Sequence, residues 1–186
     1  LIFGDFDEWD TAAGGLKVSD LEKYFKEHMK KEDFIVSNDF MVQEHSIEAL
    51  TNWLKIYNPD SEIVPICVPH MKWDRMQELA KAFSAILAEK IKAESWEAGK
   101  DYAVLISNDS SHYGDQGWGG KNNAPFGCSV KGYLEAKERD IKLTRDYLSG
   151  PLNIEKIQKL YSSLVDVKDP YIYLMTWCGR FSIPFG

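Results

Sequence analysis

Two segments of the chain carry side chains that could bind a metal ion or transfer a proton. In residues 107–114 the carboxylate of Asp109 lies three residues before the imidazole of His112. Further along, Cys178 lies two residues before Arg180, whose positive charge favours the reactive thiolate. Imidazole and thiolate ligands together suit iron, copper or zinc and disfavour magnesium and calcium. The alternative is structural: Asp109 caps a turn, and His112 and Cys178 are packing residues.

A third candidate, His45, begins a segment with the apolar spacing of an amphipathic helix. It stands between Glu44 and Ser46, with Glu48 one turn into the predicted helix. One interpretation makes His45 a metal ligand whose ring is oriented by the two glutamates. The other makes it a helix cap, with Glu48 complementing the helix dipole. The residue pattern alone favours the cap, because acidic residues are common at helix starts.

The elements that must position these groups alternate between strand and helix. Short apolar runs at 34–36, 62–68, 102–106 and 171–177 are typical of strands. Helices are predicted after Ser19 and after His45, over 73–94 and 130–148, and from 154 onward. This alternation predicts an α/β fold with a central, mostly parallel or mixed sheet and helices on both faces. Ligands of such sheets bind beyond the carboxyl ends of the strands, where we expect the candidate groups to converge.

Composition restricts the class of protein. The chain has 186 residues, of which 44% are hydrophobic and 27% are charged, as expected of one soluble globular domain. Its net charge of −7 argues against nucleic acid or an anionic membrane as the main partner. Three widely spaced cysteines argue against a disulfide framework and for a reducing, cytoplasmic location. The length predicts a single domain over 1–186. Because the chain begins without Met and stops at Ile-Pro-Phe-Gly, we expect it to lack N- and C-terminal segments.

Taken in order, three segments resemble the MEMO family, also described as AmmeMemoRadiSam system protein B. They are Glu-His-Ser-Ile-Glu at 44–48, the segment 107–114, and Cys-Gly-Arg-Phe-Ser-Ile-Pro at 178–184. The resemblance covers nearly the whole chain and implies a fold like that of the class III extradiol ring-cleavage dioxygenases. It implies that His45 and Cys178 are metal ligands and that Asp109 and His112 line the same pocket. The family's N-terminal Pro-His-Ala-Gly motif, which supplies a further histidine, is not found in this sequence.

The resemblance implies two functions between which the residues do not choose. The first is a redox or dioxygenase-type metalloenzyme that uses iron or copper, with zinc as a third option. In it, His112 and Asp109 act in catalysis, a third ligand comes from one of them or from a missing segment, and Arg180 pairs with an anionic group. The second is a non-catalytic module for a phosphopeptide or small anionic ligand. The family's system name further suggests a radical SAM partner protein.

Overall fold

The structure is a computed structural model that describes residues 1–109, 111–114 and 123–186. The chain divides into two compact units. The first unit comprises Leu1–Pro69 and Met76–Ser107, and the second comprises His70–Arg75 and Asn108–Gly186. Each unit combines helices with short stretches of extended chain, so the predicted α/β class is confirmed at this level.

The first unit holds four helices and four two-residue strands. The helices are α1 (Asp20–His28), α2 (Asn38–Met41), α3 (His45–Tyr57) and α4 (Trp73–Glu94), with a 3₁₀ turn at Lys31–Asp33; the first three residues of α4 are assigned to the second unit. The strands are β1 (Ile2–Phe3), β2 (Glu8–Trp9), β3 (Leu16–Lys17) and β4 (Ile35–Val36). β1 pairs with β4 in parallel, and β2 pairs with β3 in antiparallel orientation. No helix in the described part of the chain has both the length and the apolar character to cross a membrane.

The helix starts in this unit follow the capping residues of the sequence. The Ser19 side chain accepts a hydrogen bond from the Leu21 N–H, which confirms it as the N-cap of α1. Glu22, three residues on, does not accept from the Ser19 N–H, because that N–H donates to the Ile63 carbonyl at 2.8 Å; the buried Glu22 Oε1 instead lies 2.6 Å from Lys26 Nζ. The bounds of α4 agree with the predicted helix over 73–94.

The core of the first unit closes around a free thiol. Cys67 packs with Ile2 and Met41, and its Sγ lies 3.6 Å from the Met41 Sδ. Backbone hydrogen bonds of 3.0 Å in both directions join Ile2 to Cys67 in an antiparallel bridge. Burial, with a smaller contribution from Glu44, raises the pKa of the Cys67 thiol to about 12. Cys67 is therefore a small packing residue of this core.

In the second unit the helices pack around apolar side chains of α6 and of the C-terminal segment. Its helices are α5 (Val130–Leu143), α6 (Ile154–Leu164) and α7 (Ser182–Phe185). A π-helical turn, Thr144–Leu148, continues α5, so the helix predicted over 130–148 changes geometry in its last five residues. The buried apolar residues here are Leu160, Tyr161, Leu164, Val165, Met175, Trp177 and Phe181.

The predicted central sheet is not seen in the described residues, which instead form two separate two-stranded sheets. The run 102–106 has one bridge, at Tyr102, and Val104 and Leu105 are 63% and 57% exposed. The run 171–177 likewise forms isolated bridges, at Tyr173 and Trp177. Apolar, β-branched composition favours a strand only where a neighbouring strand supplies hydrogen bonds and cover, and among the described residues these runs pair at isolated bridges and not along their length.

Candidate metal site

In the second unit, residues 111–112 lie alongside residues 176–177. Ser111 and Trp177 form an antiparallel bridge. The His112 N–H donates to the Thr176 carbonyl at 3.2 Å, and the Thr176 hydroxyl donates back to the His112 carbonyl at 3.0 Å. This pairing brings together two motifs that are far apart in the sequence, as the convergence hypothesis required.

Gly179 allows the two paired segments to approach each other closely beside the candidate site. The Gly179 N–H donates to the Asn108 Oδ1 at 2.7 Å. A Cβ atom at position 179 would lie 2.3 Å from that Oδ1 and 2.8 Å from the Asn108 Cβ, which is far inside van der Waals contact. The Cys-Gly-Arg motif therefore needs its glycine for close approach of the two segments.

Three of the predicted site residues meet at this pairing. The His112 Nε2 lies 3.1 Å from the Cys178 Sγ and 3.8 Å from an Asp109 carboxylate oxygen. The ligand atoms of all three residues lie within 4.8 Å of one another. The His112 side chain is 25% exposed and that of Asp109 is 66% exposed. The imidazole is therefore mostly covered by protein, whereas the carboxylate is open to solvent.

This donor set suits a transition metal ion. Metal–ligand bonds of about 2.0–2.3 Å require neighbouring ligand atoms to lie a few ångströms apart, as they do here. Imidazole nitrogen, thiolate sulfur and carboxylate oxygen are together typical ligands of iron, copper and zinc. Because both the thiol and the imidazole must lose a proton to bind, metal affinity would rise with pH.

His45 lies in the first unit, as the first residue of α3. Its side chain is 81% exposed, and its Nδ1 lies 3.9 Å from the Glu44 carboxylate. The helix cap is Glu44, whose carboxylate accepts from the Ser46 N–H at 2.7 Å, so the interpretation of His45 as the cap was wrong. The Ser107 hydroxyl donates to the Ser46 carbonyl at 2.7 Å, which ties the Glu-His-Ser motif to the start of the segment 107–114. A metal ion shared by His45 and Cys178 stays a prediction.

Arg180 is buried and its guanidinium is occupied by internal contacts. Its Nη1 donates to the Trp177 carbonyl at 3.0 Å, its Nη2 lies 3.1 Å from the His70 Nε2, and its Cζ lies 4.0 Å above the Tyr173 ring. Burial, with the positive charge of Arg180, lowers the pKa of His70, which favours the neutral ring that accepts this hydrogen bond. The contact between His70 and Arg180 was not predicted, because no motif in the sequence links the two residues. The pairing of Arg180 with an anionic group stays a prediction.

Comparison with known proteins gives a family. A family model described as Memo-like protein matches residues 3–181. MEMO1 family proteins from Pyrobaculum arsenaticum and Ignicoccus hospitalis are each 32% identical over 108 residues, covering 56% of this chain and 34% of the relative. One from Methanobrevibacter smithii is 32% identical over 111 residues, covering 59% of this chain and 36% of the relative. The region of the chain that matches these relatives thus covers about a third of their length. No solved structure matches the chain.

Proposed function

Because the chain belongs to the Memo-like protein family, we propose that it binds a transition metal ion through Cys178, His112 and Asp109. The observation that carries the proposal is the 3.1 Å approach of the His112 Nε2 to the Cys178 Sγ, with an Asp109 carboxylate oxygen 3.8 Å from the same nitrogen. The backbone pairing of 111–112 with 176–177 supports this approach.

Each residue has a distinct part in holding the ion. Cys178 and His112 are the main ligands, since thiolate and imidazole bind borderline and soft metals more tightly than a carboxylate does. Asp109, with a side chain that is 66% exposed, is the weaker ligand and the one that exchanges most readily with solvent. Bound iron or copper would supply redox chemistry, and bound zinc would supply Lewis acid chemistry.

The finer features of the proposal come from the family. We propose a redox or dioxygenase-type reaction, a class III extradiol dioxygenase-like fold for the complete protein, and His45 as a further ligand. The hydrogen bond between Ser107 and Ser46 lies within the first unit, so the assignment of His45 comes from the family resemblance alone. The chain spans about a third of its relatives in the matched region, so the substrate, the cytoplasmic location and a radical SAM partner belong to this proposal for the whole protein.

The geometry favours metal binding over the phosphopeptide or anion module. That alternative depends on an available cation at Arg180. Arg180 is instead 7% exposed, and its guanidinium is packed against Tyr173 and His70. The site itself offers an exposed thiol, a partly exposed imidazole and an exposed carboxylate, which are ligands for cations.

Cobalt(II) titration of the metal-free protein tests the proposal, because a thiolate ligand produces a charge-transfer absorption band. We expect wild-type protein to show this band. We expect Cys178→Ser to lose the band and His112→Ala to lower affinity by about a hundredfold or more, since even outer partners of metal ligands contribute 10–100-fold. Asp109→Asn should lower affinity less.

Cys128→Ser is the matched control, because Cys128 is also a free, exposed thiol. It should bind cobalt as the wild type does. Equal binding by wild type and Cys178→Ser, with the thiolate band retained, would refute the proposed site. Loss of affinity in His45→Ala would establish the further ligand, and unchanged affinity would remove it from the ligand set.

A further inference from the structure

The second unit contains an open cavity, lined in part by exposed residues, that the metal proposal does not use. Its volume is about 510 Å³, within the range of roughly 300–1,000 Å³ that is usual for small-molecule sites. The lining combines apolar and charged side chains: Asn108, Asp140, Ile141, Thr144, Arg145, Leu148, Ser149, Trp177 and Ile183. Such a mixture is typical of sites that bury an apolar body and orient it through a few polar groups.

One wall of the cavity is the π-helical turn Thr144–Leu148. This geometry is rare, and π-helical turns within helices are frequent at functional sites because they redirect side chains. Here three residues of the turn, namely Thr144, Arg145 and Leu148, line the cavity. The turn therefore supplies both a basic and an apolar group to the same space.

Asp140, in the last turn of α5, offers an unused acceptor in the cavity wall. Its Oδ1 is buried and has no hydrogen-bond partner among the described residues, and the nearest cation, the Nε of Arg139, is 3.9 Å away. Burial raises the pKa of Asp140, and the charge of Arg139 and polar contacts with the Trp177 and Ser111 side chains oppose this rise. The Asp140 side chain is 23% exposed, and its Oδ1 is the carboxylate oxygen that a positively charged donor of a ligand could still bind.

Arg145 is the complementary group. It lines the cavity, and it forms no ion pair or hydrogen bond with any residue in the described part of the chain. The ion pairs around it, Arg139 with Asp140 and Lys142 with Asp146, leave its guanidinium available. A guanidinium in this state is suited to bind a carboxylate through two parallel hydrogen bonds.

We propose that this cavity binds a free α-amino acid with an apolar side chain. Asp140 accepts the ammonium group, Arg145 binds the carboxylate, and the side chain packs against Trp177 and Ile183. The assignment follows from a carboxylate without a hydrogen-bond partner on its Oδ1 and an available guanidinium in the lining of one apolar cavity. It does not depend on a bound metal, although Asn108 and Trp177 immediately precede Asp109 and Cys178 in the chain.

Isothermal titration calorimetry on chelator-treated protein tests the proposal with three matched probes. These are phenylalanine, phenylalaninamide, which lacks the carboxylate, and N-acetylphenylalanine, which lacks the ammonium group. We expect phenylalanine to bind about tenfold or more tightly than either analogue, because each loses one charged hydrogen bond. The two analogues also represent the N- and C-terminal residues of a peptide, so they separate a free amino acid from a peptide end.

Two variants assign the charges. Asp140→Asn should remove the preference for phenylalanine over N-acetylphenylalanine, and Arg145→Gln should remove the preference over phenylalaninamide. Lys142→Gln is the matched control, because Lys142 lies on the same helix, pairs with Asp146 and does not line the cavity. Its binding should equal that of the wild type.

Arg145 is exposed, so Arg145→Gln should remain folded, and circular dichroism checks this for each variant. Equal binding of the three probes by the wild type, or no binding of phenylalanine, would overturn the proposal. Tighter binding of one analogue than of phenylalanine would overturn it in favour of a peptide end. None of these outcomes bears on cobalt binding, so failure here is distinguishable from failure of the metal site.

Discussion

Cys67 and Cys178 come from similar sequence but lie in opposite environments. Cys67 lies in the apolar run 62–68 and Cys178 directly follows the apolar run 171–177, and both are free thiols. Cys67 is buried in the first unit against Ile2 and Met41, whereas Cys178 is exposed in the second unit with its sulfur 3.1 Å from His112. The first thiol is a packing residue and the second is a candidate ligand.

The comparison shows that the spatial neighbours of a cysteine, and not the apolar run next to it in the sequence, determine the chemistry of its thiol. Burial raises the pKa of Cys67 to about 12, so its thiolate is scarce near neutral pH. Cys178 has an imidazole and a carboxylate within reach, and these come from another motif through backbone pairing. The following predictions test this contrast.

The largest expected effect is on thiol reactivity. In a Cys128→Ser background at pH 8, we expect Cys67 to react with a disulfide reagent about a thousandfold more slowly than an ordinary exposed thiol, whose pKa is about 8.5. Cys178 should react in the fast phase, and Cys178→Ser should remove that phase. Mass spectrometry of the labelled protein assigns each phase. Fast labelling of Cys67 in the folded protein would contradict its buried environment.

Core substitution should separate the two environments by stability. Met41→Ala removes a fully buried side chain that packs on Cys67 and should lower the free energy of unfolding by about 2–5 kcal/mol. Val42→Ala, at a neighbouring residue that is 69% exposed, is the control and should change it little. Urea denaturation measures both. Equal effects of the two substitutions would show that the core around Cys67 is not closed.

Close approach at the candidate site predicts a smaller effect. Gly179→Ala should lower the free energy of unfolding by about 1–3 kcal/mol, because the new methyl group would collide with Asn108. It should also weaken cobalt binding at Cys178. In the double variant with Asn108→Gly the collision is relieved, so the combined loss should be smaller than the sum of the single losses. Additive losses would mean that the two residues do not meet.

The smallest effects concern pH, and they have opposite signs at two glutamates of the first unit. Burial raises the pKa of Glu22 despite its ion pair with Lys26. The folded state then binds its proton more tightly than the unfolded state, so stability falls as pH rises from the ordinary value of 4.5 through the folded pKa. Glu22→Gln should therefore raise stability at pH 7, and this gain should vanish well below pH 4.5.

Glu62 is the matched control, because its hydrogen bond with Lys17 lowers its pKa. The stability from that pair is present above the ordinary value of 4.5 and is lost as pH falls through the folded pKa. Glu62→Gln should therefore slightly lower stability at pH 7, since the pair is exposed. Denaturation at both pH values measures the two variants, and effects of the same sign would contradict one of the two assignments.

Helices could be predicted from the sequence because their determinants are local. The apolar stripe of α4 and the Ser19 cap of α1 depend on residues within a few positions of one another, and both were confirmed. The run 102–106 failed as a strand because a strand depends on a partner that the run itself does not specify. The π-helical turn Thr144–Leu148 was missed for a related reason, since no single residue type in it distinguishes it from the rest of α5.

The amino-acid sequence alone indicated which side chains are capable of chemistry and to which family the chain belongs. Residue types and the order of motifs can be read directly along the chain. The tertiary structure decided which of those side chains meet. It joined His112 and Asp109 to Cys178 through backbone pairing, and it occupied Arg180 with Tyr173 and His70. The physical reason is that a metal site depends on distances of a few ångströms between distant residues, and only packing sets those distances.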